Sequence, residues 1–131
     1  MTLGPLEVIG AAAGRSYDFY NSLCDLSDFA DQSSREYLKA VEGAIIIQEK
    51  TASREEINDF LESINRILII EHQADDTSRI IKSSLISGAK DFKQLRILTD
   101  ISDKIEESTD YLMKAGIKLR DYILEDVIAV G

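Results

Sequence analysis

The sequence predicts an all-α protein, an antiparallel three-helix bundle, and three observations carry that expectation. Apolar residues recur at alternating spacings of three and four through three long stretches, the period of one helix face. Alternating β patterns are absent, while Leu, Ile, Ala, Glu, Lys and Asp dominate. The single proline, Pro5, stands where a first helix would begin. With 131 residues, 44% of them hydrophobic, the chain suits one domain over residues 1–131 with a real core, and disorder is excluded.

The first helix is expected over residues 5–49. Its stripe runs Leu6, Ile9, Ala13, Ser16, Tyr20, Leu23, Ser27, Ala30, Ser34, Tyr37, Val41 and Ala44, a coiled-coil-like repeat sustained for about six heptads. Its middle is built from small residues, which let a neighbouring helix come close. Gly10, Gly14 and Gly43 lower its helix propensity, and a break between Asp25 and Gln32 stays open. Lys50-Thr51-Ala52 reads as a turn.

Ser53 and Glu56 form the Ser-x-x-Glu capping box that opens the second helix, expected over 53–86. Gly88 stands where a left-handed cap would end it. The third helix is expected over 90–127, starting near Lys90 or Asp91. It carries Phe92, Leu95, Leu98, Ser102, Ile105, Leu112, Gly116, Leu119 and Ile123. Short connections make consecutive helices antiparallel neighbours, up-down-up.

A formal charge of −9 makes nucleic acid and anionic membranes poor partners, and favours hard cations or a basic protein surface. Cys24 is alone, so no intrachain disulfide forms, which suits a reducing compartment. The longest apolar runs, Ile45–Ile47 and Ile67–Ile70, are too short to insert into a membrane. Residues Met1 to Pro5 lack the pattern of a signal peptide, so the expected location is cytoplasmic.

One stretch breaks the apolar pattern. Along helix two the stripe reads Ile57, Phe60, Leu61, Ile64, Ile67 and Leu68, then Glu71, Ala74 and Asp75, before Ser78, Ile81 and Leu85 resume it. Two carboxylates thus stand where the period asks for leucine or isoleucine. Such groups are paired with a base, protonated, or bound to a cation. If the helices fold back near Lys50 and Gly88, Glu71 lies level with about Ala30 and Ile105. One height along the bundle then holds Asp25, Asp28 and Asp31, Glu71 and Asp75, and Asp100, Asp103, Glu106 and Glu107.

Ile70-Glu71-His72-Gln73-Ala74-Asp75 resembles the Glu-x-x-Ala-Asp segment of PhoU-like proteins. Leu98-Thr99-Asp100-Ile101-Ser102-Asp103-Lys104-Ile105-Glu106 resembles that family's second segment, Leu-Glu-x-Ile-x-Asp. The likeness covers residues 57–125, about half the chain. It implies a three-helix repeat, of which the family carries two, in a non-enzymatic regulator or accessory protein of phosphate uptake. A phosphate transporter or signalling protein is then the expected partner. This chain holds one repeat, so a homodimer would rebuild the six-helix body. Ile45–Ile47, Ile69, Ile70, Ile97 and Ile101 widen the apolar surface as such pairing requires.

The resemblance also implies a carboxylate-bound divalent or iron-type metal, with Glu71, Asp75 and Asp103 in ligand positions. Thr99 stands where the second segment's leading acid belongs, and Asp100 or Glu106 is the available substitute. An all-oxygen set suits Mg, Ca, Mn or Fe rather than structural zinc. Two alternatives stand beside this reading. One is an all-helical, metal-dependent nucleotide pyrophosphatase-like hydrolase, in which such carboxylates hold Mg. The other is a metal-free helical adaptor, in which Asp103, Glu106, Glu107 and Asp110 are a solvated face. His72 is expected on the surface, and Cys24 in buried or half-buried packing. Tyr17, Phe19 and Tyr20 are expected as core or dimer contacts.

Overall fold

A computed structural model describes residues 5–49, 51–88 and 92–130, with side chains at 20–49, 51–86 and 92–128. Three helices follow in order: α1 Pro5–Glu49, α2 Arg54–Gly88 and α3 Phe92–Val130. Each packs on both others, and no strand occurs among the described residues. The expected all-α three-helix architecture is therefore present. The expected start of the third helix at Lys90 or Asp91 and the turn residue Lys50 lie outside the described residues. So do the side chains of Leu6, Ile9, Ala13, Ser16, Tyr17 and Phe19.

The capping box at the start of α2 is made in both directions. The Glu56 backbone N–H donates to Ser53 Oγ at 3.1 Å, and the Ser53 N–H donates to Glu56 Oε1 at 3.1 Å. Glu55 and Glu56 also place negative charge at the positive end of the helix. At the other end α2 runs through Gly88, and no described glycine has a positive φ. The expected left-handed cap is thus corrected: Gly88 is still helical. No break interrupts α1 between Asp25 and Gln32.

The seam follows a heptad. On α1 the buried set is Leu26, Ser33, Ala40 and Ile47, seven residues apart, flanked by Leu23, Ala30, Tyr37 and Ala44. Among the described residues of the expected α1 stripe, Leu23, Ala30, Tyr37 and Ala44 face inward, whereas two positions are displaced by one residue. Ser27 and Ser34 are exposed, and Leu26 and Ser33 take their places inside. On α2 the repeats are Phe60, Ile67, Ala74, Ile81 and Ile64, Glu71, Ser78, Leu85. On α3 Ser102, Thr109, Gly116 and Ile123 are buried. A strict seven-residue repeat keeps one face toward its neighbours when helices supercoil left-handedly.

The hydrophobic core is divided in two. One cluster holds Ala40, Ala44, Phe60, Ile64, Ile67 and Ile123; the other holds Leu26, Ala74, Ile81 and Leu85 with Leu95, Leu98 and Ile105 against them. Between them along the three helices fall Ser33, Glu71 and Thr109. Mid-bundle is thus a polar belt, and it positions the site described next.

Several apolar side chains remain outside this core. Of the isoleucines expected to widen the surface, Ile47 and Ile70 are buried, whereas Ile45, Ile46, Ile69, Ile97 and Ile101 are exposed. Tyr20 is exposed as well. Cys24 is exposed, which corrects the expectation of a packed thiol: it lies two residues before Leu26, off the inward face of α1.

Candidate functional site: a carboxylate groove between α2 and α3

Glu71 and Asp75, one turn apart on α2, and Asp103, Glu106, Glu107 and Asp110 on α3 line one groove. The facing is set by helix period. Asp103, Glu106 and Asp110 are spaced three and four apart beside the buried Ser102 and Thr109. The register across the groove is fixed by Ser78 Oγ, which lies 3.2 Å from Ser102 Oγ and donates to Glu106 Oε2 at 2.7 Å. Glu71 consequently lies level with about Asp110, roughly one turn beyond the expected Ile105.

Of the residues named from sequence, Glu71, Asp75, Asp103 and Glu106 come together here. Asp100 does not: it is exposed and outside the groove lining. Asp25, Asp28 and Asp31 are likewise exposed on α1, where Asp31 pairs with Arg35 at 3.0 Å. The acidic layer is therefore a two-helix feature. His72 is on the surface as expected, with Nε2 4.0 Å from Asp76.

The groove carries its own cations. Lys82 Nζ reaches across from α2 to Asp103 Oδ1 at 2.6 Å and Glu106 Oε2 at 3.4 Å. Arg79 pairs with Asp75. On α3, Lys114 pairs with Asp110 at 2.8 Å and Lys104 with Glu107 at 3.4 Å. Among the described residues, Glu71 is the one lining acid without a basic partner within 4 Å. Sequence reasoning missed Lys82 and Arg79, although Lys82 stands seven residues after Asp75 and so returns to the same α2 face.

Protonation follows from these neighbours. Partial burial pushes the Glu71 carboxyl up, and the nearby carboxylates of Asp75 and Asp110 push it further. Asp75 is held below its usual value by a side-chain hydrogen bond with Glu106 and by the Arg79 guanidinium. The Lys82 ammonium is stabilised by its bond to Asp103 and by the Glu106 charge, which raises its pKa.

These residues do not fit a resident metal as they are arranged. Among the described residues no three His, Cys, Asp or Glu side chains converge as ligands. The oxygens of Asp103 and Glu106 instead converge on the Lys82 ammonium. What the fold and groove define is an antiparallel three-helix bundle with an internally paired, acid-rich seam. No protein-family model, no curated protein and no solved structure matches the chain. Among the described residues, no helix is long and apolar enough to cross a membrane.

Proposed function

We propose that this chain is a single-repeat, PhoU-like accessory or regulatory protein of phosphate uptake, non-enzymatic, acting through protein contacts. One observation supports the reading most. The two segments that carry the resemblance contribute Glu71 and Asp75 from α2, and Asp103 and Glu106 from α3, to one groove. The α2–α3 hairpin brings both segments to one height, so the residues that carry the resemblance form one surface.

In this reading a second copy of the chain completes the six-helix body and covers exposed isoleucines such as Ile45, Ile46 and Ile69. The partner beyond the dimer is a phosphate transporter or a signalling protein. Because Arg79, Lys82, Lys104 and Lys114 already offset most of the charge of the lining acids, this reading needs no bound metal.

Deleting the gene in the cell that carries it, and following phosphate uptake, tests the reading directly. Altered uptake that the intact gene restores is the expected result. Unchanged uptake, in cells shown to make the protein beforehand, would reject it. Robust nucleoside-triphosphate turnover with Mg by the purified protein, lost in Glu71→Gln, would favour the hydrolase instead.

A further inference from the structure

We propose that the α2–α3 groove is a self-filled cation site, in which the Lys82 ammonium takes the place of a metal between Asp103 and Glu106. Three observations lead there. Lys82 comes from α2 while both its carboxylates come from α3, so the ammonium bridges the helices as a shared cation would. Glu106 Oε2 accepts from both Ser78 and Lys82, and Asp75 is engaged by Arg79. The strongest acceptors of the groove are thereby already committed. Glu71, the lining acid left without a base, stands one turn before Asp75 on the same α2 face, away from the Lys82 ammonium.

The sequence builds this arrangement by spacing alone. Eleven residues after Glu71 are close to three full helical turns, so Lys82 projects over the same groove three turns along α2. Two turns of α2 lie between Asp75 and Lys82, and in that interval Ser78 supplies a neutral hydroxyl to the shared oxygen. An ammonium is a compact point charge on a flexible stem, suited to standing between two carboxylates from a neighbouring helix. A divalent ion entering here would have to displace it and leave a positive charge beside its own. The inference rests on these contacts and not on the phosphate-uptake reading, and either can fail alone.

Calorimetric titration of the metal-stripped full chain with MnCl2 near neutral pH tests it, alongside Lys82→Met, Lys82→Gln and Lys104→Met. The wild type is expected to show no saturable binding below millimolar Mn. Both Lys82 variants are expected to bind Mn about tenfold tighter or more, since one opposing charge has left the groove. Lys104→Met removes the same charge from Glu107 on the groove's exposed side rather than from between Asp103 and Glu106, and is expected to bind Mn less tightly than either Lys82 variant. Micromolar Mn binding by the wild type would overturn the proposal. So would folded Lys82 variants, verified by circular dichroism, that bind no better than the wild type or the Lys104 control. Should neither Lys82 variant fold, the Lys82 Nζ resonance of the wild type decides: it stays unmoved as Mg reaches millimolar levels, and its displacement overturns the idea.

Discussion

Ser78 and Glu106 are joined across the α2–α3 seam by a 2.7 Å hydrogen bond, and the donor is a buried hydroxyl that also lies 3.2 Å from Ser102. The serine therefore ties a charged group at the groove to a neutral pair in the core. Ser78→Ala removes the bond to Glu106 and leaves Ser102 buried without that partner. A loss of about 1–3 kcal/mol is expected, because a hydrogen bond to a charged acceptor is stronger than a neutral one. Denaturant unfolding measures it. Ser78→Ala with Ser102→Ala should cost less than the sum of the single changes, since the second substitution removes the stranded hydroxyl.

Glu71 gives a prediction with a definite sign in pH. Its carboxyl is raised in the folded chain, so the fold binds its proton more tightly than the unfolded chain does. Stability linked to Glu71 is then full below the unfolded value and falls as pH rises through the raised folded value. Glu71→Gln keeps the shape and removes the charge. It should stabilise the protein near neutral pH, a gain that shrinks as the pH approaches the unfolded carboxylate value. Thermal melts of both proteins between neutral pH and the carboxylate range provide the check. A constant offset across that range would assign the gain to something other than ionisation.

The start of α2 depends on a reciprocal bond pair that an isolated substitution can test. Ser53→Ala removes the acceptor of the Glu56 N–H, and Glu56→Ala the acceptor of the Ser53 N–H. Each should cost about 0.5–2 kcal/mol. Their effects should be less than additive, because the two bonds hold one chain entry in place. A double-mutant cycle by chemical unfolding measures the coupling.

Two helical glycines should be replaceable at a profit. A methyl added at Gly43 would meet Phe60 Cβ at 3.5 Å, and one at Gly116 would meet Ile64 Cδ1 and Ile67 Cδ1 at 3.5 Å. Those are ordinary van der Waals separations. Neither position has a positive φ, so alanine suits the backbone. Gly43→Ala and Gly116→Ala should each stabilise by about 0.5–1 kcal/mol through helix propensity, read from denaturant midpoints.

Much of the fold was legible because helix period is a strong signal. The α3 stripe from Leu95 to Ile123 emerges as expected apart from Thr109, whose polarity hid it, but Phe92, expected to open the stripe, is exposed at the start of the helix. Along α1 the reading slipped by one residue where Leu26 and Ser33 compete with Ser27 and Ser34. Between Ser33 and Ser34 hydrophobicity has nothing to choose, but Leu26 over Ser27 and the strict seven-residue spacing of Leu26, Ser33, Ala40 and Ile47 are the signals that decide. The acids of the groove were visible as a break in an apolar stripe. The counter-cation Lys82 was not, since it looks like scattered surface charge until α3 is packed beside it, whereas Arg79 pairs with Asp75 one turn away on α2 itself. Asp100 was misjudged for a related reason: in the Thr99-Asp100-Ile101 run, one residue is a third of a turn, enough to leave the groove.

Ser33 supplies the last test, one of the polar belt itself. Its side chain is fully buried on α1 between the two hydrophobic clusters, and its Oγ has no hydrogen-bond partner among the described residues. A buried hydroxyl in that state has lost water without replacement, a cost of about 1–3 kcal/mol. Ser33→Ala removes the hydroxyl and leaves only a small vacated volume, so it should leave stability unchanged or raise it by up to about 1 kcal/mol. A polar group left unpaired in the middle of a seam has a use if it holds register against sliding by one heptad. On that account the alanine variant should show a broader, less cooperative unfolding transition despite its equal or higher midpoint. Urea unfolding followed by both circular dichroism and tyrosine fluorescence distinguishes the outcomes: coincident, sharp curves would make Ser33 a simple defect, and diverging ones would make it a register pin.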